Sequence, residues 1–243
     1  MLRLLGSAPV RDDEERPYWS QRSWQLSAGF VAVVLVVGLF ALLVKPDDAQ
    51  ETSSTQSVRI DAGPGQRPDG CQTDDSAQGA PVRAPNDVTW RELNGGSIPV
   101  SRSAGPRVLG GPLLWCFAHT PMGAVLAANV IPRQLSGRDW AQVAERQIIP
   151  GEDREIFVSM RATYVEPAGT QSVASLAGFS LVSYSDSAAT VRILMSFTQG
   201  MAVTEYTVAW SGGDWKIKPL PSGDLHTAII PMSTSSGFIM WKV

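Results

Sequence analysis

The chain of 243 residues has only two cysteines, two histidines and four lysines, and each shortage closes off a class of function. Two His and two Cys supply few metal ligands and few bases for catalysis. The 20 basic residues, of which only Lys45, Lys216, Lys218 and Lys242 are lysine, stand against 23 acidic ones, for a formal charge of −3. No overall positive field therefore attracts a phosphate backbone. Beyond residue 25 there are 16 basic and 19 acidic side chains, without a stripe of Arg interleaved with aromatics, so direct nucleic-acid contact is not expected. With 44% hydrophobic and 18% charged residues, the chain is not a polar disordered one. No Gly-x-Ser-x-Gly is present; the nearest match, Gly178 to Val182, lacks the last Gly. The LGGP at 109–112 is a turn signal and not a phosphate loop, because no Lys-Ser/Thr follows it.

One long hydrophobic run is there. Residues 26–44, LSAGFVAVVLVVGLFALLV, carry no charge and are bounded by Arg22 and Lys45. As a helix this run is about 28 Å long, which matches a bilayer core. The tail of 25 residues before it holds Asp12, Asp13, Glu14 and Glu15, and no small-residue cleavage pair follows, so an uncleaved anchor is expected over a signal peptide. Tyr18, Trp19 and Trp24 suit an interfacial belt, and Arg11, Arg16 and Arg22 bias the tail of residues 1–25 to the cytoplasm. The expected location is the cell membrane, with the C-terminal part extracytoplasmic. Residues 45–85 are rich in Asp, Ser, Gln, Gly and Pro and lack aromatics, and so read as a flexible tether. An extracytoplasmic domain is expected over 86–223, with a tail over 224–243 that adds an edge strand or packs beneath the sheet.

Cys71 and Cys116 both follow the span, where an oxidising exterior favours one disulfide. The metal alternative joins Cys116-x-x-His119 to Cys71 and His226, but structural zinc draws on two closely spaced pairs and only one exists. No metal and no cofactor is expected.

Within the domain, DVTWREL and SIPVS are short extended pieces separated by Asn94-Gly95-Gly96. Thr120-Pro121 is a cap and first helical position, and the helix MGAVLAANVI should end at Pro132. A second helix places Trp140, Val143, Ala144 and Ile148 on one face; a third covers 152–163, with Glu152 and Asp153 in its first turn. After residue 173 the period becomes two. SLAGFSLVSYS, TVRILMSFTQ, MAVTEYTVAW and DWKIKPL read as four strands of an antiparallel meander.

Candidates for chemistry are few. Asp186 and Asp214 fall in predicted turns, Glu205 and Arg192 on the solvated strand face, and His119 before a helix. Phe179, Met195, Phe197, Tyr206 and Trp210 line one side of the meander, either as core or as a pocket for a lipid or small apolar molecule. The core reading is preferred.

AHTPMGAVLAA (118–128) and the FSLVSYSDSAATVRILM and YTVAWSGGDWKIKPLP stretches of 179–221 carry a family likeness. Three helices followed by a four-stranded meander resemble the α+β, cystatin-like cone of the nuclear transport factor 2-like fold. With a short tail, one span and a tether, the chain resembles bitopic assembly proteins of type IV secretion. These are the VirB-type and TcpC-like components of conjugation machines and the actinobacterial membrane proteins encoded with conjugative elements. The resemblance implies a non-catalytic scaffold that contacts its own copies and other transfer-channel subunits, with no cofactor and no catalytic residues.

Overall fold

The structure, a computed structural model, describes residues 67–164 and 174–242. The tail 1–25, the apolar run 26–44 and the first part of the tether lie outside the described residues. Among the described residues no helix is long and apolar enough to cross a membrane. Every element below belongs to the unit Ser57–Val243.

The helical layer begins with α1 (Pro121–Leu135), where the Thr120 hydroxyl accepts from the Gly123 N–H at 3.1 Å and Pro121 occupies the first turn. Gly123 has to be glycine, because a Cβ there would overlap the Ala118 carbonyl. The helix runs past Pro132, where the sequence pattern stops it. A proline so near the end removes a single ladder bond, and the Ser136 N–H still closes on the Pro132 carbonyl at 3.2 Å. Next come α2 (Trp140–Gln147) and α3 (Glu152–Thr163), the latter with Glu152, Asp153 and Glu155 in its first turn. The bend between them is tied to the sheet by the Ile149 N–H, 2.9 Å from the Ile217 carbonyl.

A hairpin of β1 (Val88–Leu93) and β2 (Gly96–Ser101) stands apart from a larger sheet. That sheet contains β3 (Ser175–Tyr184), β4 (Ala188–Phe197), β5 (Gly200–Ser211), β6 (Asp214–Lys218), β7 (Ile230–Met232) and β8 (Ile239–Met240). Its order is β6-β5-β4-β3-β8, with β7 on the part of β5 that β6 leaves free. Phe179, Val191, Ile193, Val208 and Ile217 turn one face towards α1, all 2% exposed or less. The chain between β7 and β8 crosses the other face, where Ser236, Gly237 and Phe238 border a groove with Ser180, Arg192 and Glu205. β8 requires Gly178 beneath it, since a Cβ there would lie 2.8 Å from the Ile239 carbonyl oxygen.

The four-stranded cone expected from the pattern is therefore corrected. Three helices and antiparallel pairing are present, but the sheet has six strands. The two additions have three and two residues, too short for an alternation to show in the sequence. Of the segment read as a tether, residues 67–85 lie against the domain, with Cys71 and Ala84 buried.

Candidate functional site

The two ends of α1 differ in chemistry. At its start, a disulfide joins Cys71 to Cys116 across 45 positions of sequence. Cys116 has φ +74°, a left-handed conformation costly for a residue with a side chain. Asp214 holds it there. One carboxylate oxygen accepts from the Cys116 N–H at 2.7 Å, and the other from the Phe117 and Trp215 N–H groups, each at 2.9 Å. Burial pushes the Asp214 carboxyl up to about 6, while the three N–H donors and Arg67 pull it back. Trp215, fully buried, donates its indole N–H to the Ala118 carbonyl at 2.9 Å.

The N-terminal arm closes this end. Arg67 pairs with Asp75 at 2.7 Å and donates to the Phe117 carbonyl at 3.0 Å. Asp75 accepts the His119 N–H at 2.8 Å. Burial raises its pKa, but the bonds from Arg67, His119 and Thr73 outweigh that and leave it below the usual carboxylate value. The His119 ring stacks on Trp210 with centroids 3.8 Å apart, and Arg67 lies 5.0 Å from the same indole.

Towards the end of α1, a cleft of about 180 Å³ opens between the helix and the sheet. Asn129 and Arg133, one turn apart on α1, face Leu176, Ile193, Met195 and Tyr206 across it. Asn129 is 3% exposed; its amide N–H donates back to the Val125 carbonyl at 2.8 Å, which leaves its oxygen with no partner. The half-buried Arg133 donates to the Ala174 carbonyl at 3.3 Å. Burial lowers its pKa, and Tyr206 and Glu92 oppose that. Burial raises the Tyr206 phenol, opposed by Arg133, so Tyr206 is a neutral hydroxyl at physiological pH.

The five aromatic and apolar residues read as one lining occupy four places. Met195 and Tyr206 border the cleft. Phe179 is fully buried, 4.6 Å from Trp241, and Phe197 is 40% exposed at the β4–β5 turn. Trp210 lies at the disulfide end. Arg192 and Glu205 form a surface ion pair at 2.6 Å, and His226 packs 5.2 Å from the Tyr206 ring. The alternative four-ligand metal set loses both sulfurs to the disulfide. Sequence reasoning missed two residues. Asp214 reads as turn chemistry because it follows Gly212-Gly213, and Asn129 lies unmarked inside an apolar helical run; the only signal at Asn129 is a polar residue on a buried face.

A family model, DUF8175, described as a domain of unknown function, matches residues 50–240. No curated protein and no solved structure matches the chain.

Proposed function

The chain belongs to the DUF8175 family, and from that premise we propose that it is a membrane-tethered, extracytoplasmic scaffold of a type IV secretion-like transfer assembly. It works by contacts with its own copies and with other channel subunits. The Cys71–Cys116 bond supports an oxidising compartment, and the apolar run 26–44 supports attachment to the bilayer. The observation that carries a contact role is the set of exposed apolar side chains at the sheet's edge strand and a neighbouring turn. Phe197, Ile229 and Ile230 are 40%, 51% and 57% exposed around the β4–β5 turn and the edge strand β7. Exposed apolar side chains on a sheet edge suit pairing with another chain. Mild crosslinking of the full chain in its native membrane, followed by mass spectrometry, tests this. Capture of its own copies with channel subunits, lost in Ile230→Lys, is the expected outcome; recovery of monomer alone overturns the proposal.

A further inference from the structure

Two residues that line the cleft beneath α1, Asn129 and Tyr206, carry polar groups that the fold leaves unused. Asn129 Oδ1 has no partner although its residue is 3% exposed, and the Tyr206 hydroxyl makes no hydrogen bond within the described residues. A buried acceptor left unpaired is costly, so a native protein keeps one where something else donates to it. A water could donate, but one water occupies about 30 Å³ and the cleft is about 180 Å³. Its walls ask for more than solvent. Leu176, Ile193 and Met195 form an apolar side, and Arg133 brings a permanent cation one helical turn from Asn129.

We propose that this cleft binds a small hydroxy-carboxylic acid with an apolar body. Its carboxylate pairs with Arg133, its hydroxyl donates to Asn129 Oδ1 once that sealed oxygen turns to the cleft, and its body lies against Leu176, Ile193 and Met195. Tyr206, kept neutral by burial, adds a hydroxyl that can donate to the carboxylate. The site is independent of the exposed apolar side chains at β7, so a scaffold and a ligand site coexist on one domain.

Calorimetric titration of the full-length chain in maltoside micelles tests this with three probes. These are para-hydroxyphenylacetate, phenylacetate (no hydroxyl) and para-cresol (no carboxylate). The wild type should bind para-hydroxyphenylacetate saturably and each of the other two roughly tenfold more weakly, the worth of one hydrogen bond or exposed ion pair in a half-buried site. Asn129→Leu should erase the preference for para-hydroxyphenylacetate over phenylacetate. Arg133→Gln should weaken both carboxylates and keep their ratio, so the test survives if the Asn129 variant does not fold. Saturable binding of none of the probes, equal affinity for all three, or an unchanged ratio in Asn129→Leu overturns the proposal, and the first of these leaves solvent as the partner of Asn129.

Discussion

The two ends of α1 are made from similar materials and are finished differently. At the disulfide end, a buried carboxylate, a cation, an indole and a strained cysteine satisfy one another: Asp214 takes three N–H groups, Arg67 takes Asp75, and Trp215 takes the Ala118 carbonyl. At the cleft end, Asn129 Oδ1 is unpaired and the Tyr206 hydroxyl has no hydrogen-bond partner among the described residues. The difference teaches which polar groups hold the fold and which are available to something outside it. A satisfied buried network rigidifies; a group held open at a cost is a candidate for recognition.

Breaking the closed end should cost most. Trp215→Ala removes a fully buried ring and its bond to Ala118, and should lower unfolding free energy by about 3–5 kcal/mol in denaturant titrations followed by near-ultraviolet circular dichroism. Replacing Cys71 and Cys116 together by Ser reopens a loop with 45 positions between its ends, for a loss of roughly 4 kcal/mol on the chain-entropy model. The midpoint under reducing conditions should then match that of the double variant.

A pH series sharpens the same contrast. The folded Asp214 carboxyl, at about 6, binds its proton more tightly than in the unfolded chain, near 3.8. Its contribution is therefore fully present below about pH 4 and is lost as pH rises through 6, on the order of 2–3 kcal/mol. Asp75, held below the usual value, gives the opposite slope, with stability lost only as pH falls below 3.8. Unfolding measured from pH 4 to 7 should slope downward in the wild type and lie flat in Asp214→Asn; a flat wild-type profile would count against the buried carboxylate. The smallest effect belongs to the open end. Tyr206→Phe removes a hydroxyl with no hydrogen-bond partner among the described residues and should change stability by less than about 1 kcal/mol in the same denaturant assay.

Much of this architecture is legible in the residues. Thr120-Pro121 marks the start of α1, Glu152 and Asp153 mark that of α3, and the alternation from 175 to 218 yields four strands nearly to their bounds. What is not legible has no period. β7 and β8 are too short to alternate, and the packing of residues 67–85 depends on Arg67, Asp75 and Gln78 meeting partners more than 40 residues away, such as Phe117 and His119. The candidate pocket was half visible for a related reason. Period two assigns Phe179, Met195, Tyr206 and Trp210 to one face but says nothing of position along the strands, and position separates the core, the cleft and the disulfide end. Asn129 was invisible as a ligand group because its meaning rests on the atoms missing around its oxygen.

One paired measurement addresses the contrast itself: the unfolding free energies of full-length Asp214→Asn and Asn129→Leu, each against wild type at pH 7. Both substitutions nearly keep side-chain size and change its polar groups. Asp214→Asn should lose about 2–4 kcal/mol, because one of its two accepting oxygens becomes an NH2 donor facing a backbone N–H, while Asn129→Leu should change stability by less than about 1 kcal/mol, because the unpaired oxygen it deletes offsets the amide bond to Val125 that goes with it. Equal losses in the two variants would contradict the distinction, and would make Asn129 part of what holds the fold together.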